Sequence, residues 1–196
     1  MSGRRREGRT SRNPSPRRRL SRRVLIVCGG QKTEKQYLDG LKRAERNPSV
    51  SVAIKTNPRS PSEVVNHAHK LKRQSPEDFD DVWCVFDVDE FRDIDRAADL
   101  ARRHRVGLAI SNPCFELWLL LHFDDRTAYS PSYASLLPLL RTHLPDYDKT
   151  DLAFTAYATG IQQACSRARS LEPTGEAPYV NPSTGMWQVV ELMRRT

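Results

Sequence analysis

An apolar run that ends in three acidic residues is the feature that most limits what this chain can fold into. The segment from Val82 to Phe86 is followed by Asp87, Asp89 and Glu90. Because the run is apolar, β-branched and aromatic without alternation, it is typical of a strand buried on both faces, as in a parallel sheet. Ligands of open α/β sheets bind where strands end at their carboxyl edge. We therefore expect a binding site directly after Phe86.

Asp87 and Asp89 are two positions apart, so both carboxylates can converge on one cation. Hard oxygen ligands of this kind suit Mg²⁺ or Mn²⁺. The alternative is a polar loop that caps the strand and starts a helix, because acidic residues are common at helix N-termini. For an isolated Asp-x-Asp pattern the alternative is the more frequent outcome, so other segments have to decide between the two.

Strand-like and helix-like segments alternate between residues 24 and 111. The predicted strands are 24–28, 50–55, 82–86 and 106–110, and the predicted helices start near Thr33, Pro61 and Ile94. This alternation predicts an α/β fold with a doubly wound, mainly parallel four-stranded sheet covered on both faces. The segments from Pro113 onward are helical, including a buried helix over 115–123. We expect an α/β domain over 24–112 and a helical C-terminal cap over 113–196.

Basic residues are concentrated at the start of the chain. The net charge is +8, and residues 1–23 alone, with ten Arg and one acidic residue, carry +9, so the remainder sums to −1. An Arg-, Ser- and Pro-rich segment cannot bury enough apolar surface to fold, and we expect 1–23 to be a disordered tail. The tail can bind nucleic acid by neutralising phosphates. The alternatives are a solubilising extension and a segment included only because an upstream start codon was wrongly chosen.

Composition disfavours membrane and disulfide-rich proteins. No apolar run approaches the roughly 18 residues that span a bilayer, so no membrane partner is expected. The four cysteines show no C-x-x-C pairing, which favours reduced thiols and a cytoplasmic location. Zinc is disfavoured because His67 and His69, two apart on a predicted helix, point to different faces.

The loop after the first predicted strand forms the second half of the expected site. It runs from Gly29 to Glu34 and can neighbour Asp87 across the switch point of a doubly wound sheet. Glycines let backbone approach a ligand closely, and the helix amides after Thr33 favour an anion such as phosphate. The predicted substrate-binding residues are Gly30, Lys32 and Thr33. The structural alternatives are a solvated lysine and a threonine that caps the helix.

Two polar residues interrupt the apolar helix predicted over 115–123. Glu116 stands among apolar residues, and an acidic side chain is seldom fully buried without a partner. It is either a proton-transfer or metal-supporting carboxylate or the partner of a nearby arginine or backbone amides. His122 is expected to be a packed histidine rather than a base.

These segments together resemble the RloB family. The resemblance rests on Ile-Val-Cys-x-Gly-x-x-Thr-Glu-x-x-Tyr (26–37), Trp-Cys-Val-Phe-Asp-Val-Asp (83–89), Ser-Asn-Pro-Cys-Phe-Glu-Leu-Trp-Leu-Leu-Leu-His-Phe (111–123) and Asn-Pro-Ser-Thr (181–184). It covers about residues 24–187, and the Ser-Asn-Pro-Cys-Phe-Glu-Leu-Trp block is its specific part. The family is found with restriction and anti-phage loci, and its sheet resembles the Toprim domain of topoisomerases, primases and overcoming-lysogenization-defect nucleases.

The resemblance implies a Toprim-like nuclease that cleaves RNA or DNA in phage defence with Mg²⁺ or Mn²⁺ as cofactor. Asp87 and Asp89 match the metal-binding Asp-x-Asp that the resemblance implies. Our hypothesis adds Glu90 as a metal ligand, and its catalytic residues are Glu34, Asp87, Asp89 and Glu116. Nucleic acid is the expected partner, and an ATPase of the same defence locus is a further one.

One departure from the family pattern weakens this expectation. The pattern places Cys-Glu-Gly-Glu-x-Thr-Glu after the first strand, whereas this chain has Gly29 and Gln31 at the first two Glu positions and retains Glu34. Losing a positioned proton-transfer group costs on the order of 10²–10⁴-fold in rate. The chain is therefore a weakened nuclease, an enzyme in which Glu34, Glu90 or Glu116 substitutes, or a non-catalytic module that binds nucleotide, nucleic acid or the ATPase.

Overall fold

A computed structural model describes residues 21–88, 93–175 and 177–195, and within them five strands form one sheet. The strands are β1 (Arg22–Cys28), β2 (Val50–Thr56), β3 (Asp81–Asp87), β4 (Gly107–Asn112) and β5 (Ser183–Thr184). Their order is β2-β1-β3-β4-β5, with β1 to β4 parallel and β5 antiparallel to β4. The four predicted strands are confirmed, but the predicted strand count is wrong. A two-residue strand such as β5 has no periodicity from which a sequence can predict it.

Seven α-helices accompany the sheet in the described part of the chain. They are α1 (Thr33–Glu45), α2 (Pro61–Gln74), α3 (Ile94–His104), α4 (Glu116–Leu120), α5 (Tyr133–His143), α6 (Ile161–Leu171) and α7 (Met186–Arg194), with two short 3-10 turns at Phe154–Ala156 and Ala158–Gly160. None of these described helices is both long and apolar enough to cross a membrane. The predicted alternation of strands and helices up to β4 is confirmed.

Alternate residues of β1 pack on opposite faces of the sheet. Val24 and Ile26 belong to a core that also contains α1 and the helices after β4. Leu25 and Val27 belong to a second core, formed with α2 and α3. Both faces are therefore covered, as the unbroken apolar strands predict. The four cysteines are free and buried.

The strands and helices begin where local chemistry favours them. At the start of α2 a capping box joins Ser60 and Glu63, and Pro61 stands in the first turn. β1 begins at Arg22, which pairs with Asp81 across the sheet, and therefore starts two residues before the predicted boundary. Residues 1–20 of the predicted tail lie outside the described residues.

The buried helix predicted over 115–123 is shorter than expected. α4 ends at Leu120, and the chain tightens because the N–H of His122 bonds to the carbonyl of Leu119 rather than to that of Trp118. The Trp118 carbonyl instead accepts a hydrogen bond from Nδ1 of the His122 ring at 2.9 Å. The His122 side chain thus binds the Trp118 carbonyl, which the backbone N–H of His122 would bind if the α-helix continued.

Candidate active site

A cavity of about 530 Å³ opens at the carboxyl ends of β1 and β3. These strands are adjacent although β2 lies between them in sequence, so the cavity occupies the switch point of the sheet. The predicted site residues that line the cavity are Gly30, Lys32, Thr33, Glu34, Asp87 and Glu116. Asp89 and Glu90, the two remaining predicted site residues, lie outside the described residues.

The Glu34 side chain turns back over the loop that precedes α1. Its carboxylate accepts hydrogen bonds from its own backbone N–H and from that of Gly30, and the residue is only 5% exposed. Burial raises the pKa of Glu34, the backbone donors oppose this rise, and the negative charge of Glu116 adds to it. The anion at the N-terminus of α1 is therefore a carboxylate of the chain itself, in the place where the sequence predicted a bound phosphate.

Glu116 begins α4 and is also 5% exposed. The Tyr147 hydroxyl donates a hydrogen bond to its Oε1 at 2.9 Å, and the Cys114 thiol bonds to the same side chain. Burial and the nearby Glu116 charge raise the pKa of both the Tyr147 phenol and the Cys114 thiol. Both groups consequently remain protonated and act as donors to Glu116 at neutral pH.

Asp87 is the last residue of β3 and lies opposite Ser111 of β4. Its carboxylate contributes to raising the pKa of Cys114, which places its charge near the thiol that bonds Glu116. Among residues 21–88, 93–175 and 177–195, no three His, Cys, Asp or Glu side chains are grouped so that they could hold a metal ion. Asp89 and Glu90 are not among these residues.

Gly29 lies beside the end of β3. Its N–H donates to the Val85 carbonyl at 2.7 Å, and a Cβ added at Gly29 would stand 3.0 Å from Cβ of Phe86. A side chain at this position would therefore extend beside β3, one residue before Asp87, after a shift of a few tenths of an ångström. Glycine therefore supplies no carboxylate from position 29.

Three basic side chains line the cavity in addition to its carboxylates: Lys32, Arg59 and Lys149. The Lys149 charge lowers the pKa of Glu34 against the effect of burial, and its ammonium lies 5.2 Å from the centre of the Tyr133 ring. Arg59 follows β2 and is largely exposed, with an ion pair to Glu63 at 3.4 Å. The cavity thus combines buried negative charge with positive charge.

The start of α1 holds the segment that carries Lys149. The Thr33 hydroxyl donates to the Lys149 carbonyl at 2.7 Å, and the Gln36 side chain donates to the Thr150 carbonyl at 2.9 Å and accepts from the Leu152 N–H at 2.9 Å. The interpretation of Thr33 as a helix cap is wrong, because the N-cap residue is Lys32 and the threonine hydroxyl is used for this tertiary contact.

His122 is packed and fully hydrogen-bonded, as predicted. Because a carbonyl can only accept, the ring Nδ1 carries the proton that binds Trp118, and Nε2 accepts from the Tyr37 hydroxyl at 3.0 Å. Burial lowers the pKa of His122 to about 4. The imidazole is therefore neutral at physiological pH and lies inside the core.

Sequence reasoning missed five cavity and support residues: Arg59, Cys114, Tyr133, Tyr147 and Lys149. Arg59 could have been found, because it follows the carboxyl end of a predicted strand, which is the rule that found Asp87. Cys114 stood inside the quoted family block but received no role. The other three come from the region after α4, and only tertiary packing brings Tyr133 and Lys149 to the cavity and Tyr147 to Glu116.

A family model described as RloB-like protein matches residues 24–193. A comparison with curated proteins and a comparison with solved structures each found no match.

Proposed function

Because the chain belongs to the RloB-like protein family, we propose that it is a Toprim-like nuclease that uses Mg²⁺ or Mn²⁺ to cleave RNA or DNA in phage defence. In this proposal residues 24–112 form the Toprim-like domain and residues 113–196 its helical cap. The supporting observation is the cavity at the strand switch point, which is lined by three carboxylates, Glu34, Asp87 and Glu116, and by three basic side chains. Phosphodiester cleavage requires both basic and acidic side chains. The basic side chains bind the anionic substrate, and the acidic ones hold a metal ion or transfer a proton.

The donor set fits a hard divalent cation. Asp87 would hold the ion together with Asp89 and Glu90, and all the donors are carboxylate oxygens. Mg²⁺ usually takes one or two protein carboxylates and completes its shell with water and substrate phosphate, so it does not require a cage of three protein ligands. A metal bound there would stabilise the charge that develops on the transferred phosphate.

The chain's own residues supply substrate binding and proton transfer. Lys32, Arg59 and Lys149 neutralise the phosphates of the nucleic acid at the cavity. Glu34, whose pKa burial raises, exchanges a proton with the reacting oxygen, and a raised carboxyl pKa suits that task at neutral pH. Glu116 supports the site through its charge and is oriented by Tyr147.

Gly29 favours the rival function. Without a carboxylate at position 29, the same cavity would bind a nucleotide, nucleic acid or an ATPase of the defence locus without cutting. Binding needs only the basic side chains and the shape of the cavity, whereas cleavage needs Asp87 and Glu34 as well. The two functions are therefore separated by substitutions of the carboxylates.

The test is incubation of the purified full chain with labelled tRNA, single-stranded and duplex nucleic acid in Mg²⁺ or Mn²⁺. We expect cleavage that stops in chelator and is lost in the Asp87→Ala, Asp89→Ala variant. Cleavage that persists in this variant would refute the assigned site. Tight binding of nucleic acid without cleavage in any condition would establish the rival function.

A further inference from the structure

Two tyrosines stand out on the surface of the described residues. The Tyr129 and Tyr179 side chains are 69% and 62% exposed, and the neighbouring Val180 is 41% exposed. The side chain of Asn181 joins the two segments, because it accepts from the Ser130 N–H and donates to the Ser130 carbonyl, both at 2.8 Å. These hydrogen bonds bring together the two chain segments that carry the exposed tyrosines, and exposed apolar groups gathered in one region are typical of a binding surface.

This tyrosine pair lies at the same edge of the sheet as the cavity. Asn181 also donates to Oδ1 of Asn112, the last residue of β4, at 2.9 Å. The Tyr179 hydroxyl donates at 2.7 Å to Asp95 in the first turn of α3. Ends of parallel strands and starts of their crossover helices share one edge of the sheet. Cys114, two residues after Asn112, lines the cavity, so the two tyrosines and the cavity lie at the same edge of the sheet.

A third tyrosine lies in the cavity itself. Tyr133, four residues after Tyr129, lines the cavity next to Lys149, whose ammonium lies over its ring. Aromatic rings beside basic groups are the combination that binds single-stranded nucleic acid, because rings stack on bases while cations bind phosphates. A duplex hides the faces of its bases within its own stack, so it cannot use such rings.

We propose that Tyr129 and Tyr179 stack on unpaired bases of a single-stranded nucleic acid whose backbone enters the cavity next to Tyr133. A cavity of about 530 Å³ lies in the range of small-ligand sites, about 300–1,000 Å³, and suits one unpaired nucleotide. The hydrogen bond from Tyr179 to Asp95 fixes one ring before the strand arrives, which reduces the ordering cost of binding. This inference rests on the proposed function and names the substrate class of the same site.

The test is fluorescence anisotropy of labelled single strands of about 12 nucleotides, as RNA and as DNA, in chelator so that binding is measured without metal. Each of Tyr129→Ala and Tyr179→Ala should weaken binding about tenfold, since one base stack contributes that much. Tyr129→Phe keeps the ring and should bind as the unchanged chain does. Tyr179→Phe keeps the ring but loses the hydrogen bond to Asp95, so it should bind more tightly than Tyr179→Ala and no more tightly than the unchanged chain. Unaltered thermal unfolding of these surface variants confirms that they fold.

Val180→Ala is the matched control, because it shortens an exposed apolar side chain that has no aromatic face. It should leave the affinity unchanged. Unchanged affinity of the Tyr129→Ala, Tyr179→Ala double variant for both RNA and DNA would overturn the proposal. So would a loss in Val180→Ala as large as that in the tyrosine variants, which would mark an apolar protein-docking surface. Duplex bound as tightly as single strands would overturn it as well.

The outcomes for this surface and for the nuclease are distinguishable. Ring-dependent binding without cleavage in Mg²⁺ or Mn²⁺ would end the proposed enzymatic function and keep the stacking surface. Cleavage and binding that are both insensitive to the two tyrosine substitutions would overturn the stacking surface and keep the proposed enzymatic function.

Discussion

The carboxylate of Glu34 occupies the space where a side chain at Gly30 would lie. A Cβ added at Gly30 would stand 2.0 Å from Oε2 of Glu34, well inside contact distance. The backbone N–H of Gly30 in turn donates to that carboxylate. The glycine is thus required for the position of a buried acid.

Gly30→Ala should therefore act through Glu34. Its methyl group would push the carboxylate from its backbone donors, and we expect cleavage to fall about as much as in Glu34→Gln, on the order of 10²-fold or more. Measured rates of the single and double variants form a double-mutant cycle. Adding Gly30→Ala to Glu34→Gln should change the rate far less than it does in the unchanged chain. Fully additive losses would show that the two residues act separately.

Tyr147→Phe should weaken both stability and activity. It removes the hydroxyl that donates to Glu116 and leaves a buried acceptor underused, which costs about 1–3 kcal/mol in the free energy of unfolding. Loss of a supporting hydrogen bond at a reactive centre lowers activity about 10- to 100-fold. Urea denaturation and cleavage rates measure the two effects.

The control for this change is Tyr179→Phe, which removes a tyrosine-to-carboxylate hydrogen bond at an exposed position. It should alter the free energy of unfolding by less than about 1 kcal/mol. Equal effects of the two substitutions would contradict the role given to Tyr147.

The sheet and half of the cavity could be predicted from sequence because their signals are local. Unbroken apolar runs marked β1 and β3, and the rule that ligands bind at strand ends found Glu34 and Asp87. The remaining half could not be predicted in this way. Lys149 lines the cavity and Tyr147 donates a hydrogen bond to Glu116. Both depend on contacts with residues more than thirty positions away, including the hydrogen bond from Thr33 to the Lys149 carbonyl. No periodicity or turn pattern encodes such contacts.

Gly29→Glu should strengthen cleavage. The new side chain would enter beside β3 after a small shift, because its Cβ lies 3.0 Å from Cβ of Phe86, and it would add a carboxylate near Asp87. We expect a rise in rate of up to about 10²-fold. Gly29→Gln is the matched control, since it has the same size without the charge. If both variants were equally active, a missing carboxylate would not be what limits this chain.

His122 should make stability depend on pH in a defined window. Burial lowers its folded-state pKa from 6.5 to about 4, so between these values the unfolded chain binds a proton that the folded chain does not. The stabilisation is therefore complete above pH 6.5 and is lost as the pH falls toward 4, by roughly 3 kcal/mol. Chemical denaturation at a series of pH values measures this loss.

The control for this pH dependence is His122→Phe, which keeps an aromatic ring and cannot titrate. Other titrating groups, including Glu34, are common to both proteins. The unchanged chain should lose more stability than His122→Phe as the pH falls through the window. Parallel pH profiles would contradict a neutral buried imidazole.

The central claim is that Asp87 helps to hold a divalent cation at the cavity, and isothermal titration calorimetry of the full chain tests it most directly. We predict uptake of Mg²⁺ or Mn²⁺, in the presence or absence of single-stranded nucleic acid, that is lost in Asp87→Asn. Asp99→Asn, which removes an exposed carboxylate paired with Arg102 on α3, should bind the cation as the unchanged chain does. No uptake of either cation under any of these conditions, or equal uptake by Asp87→Asn, would contradict the account.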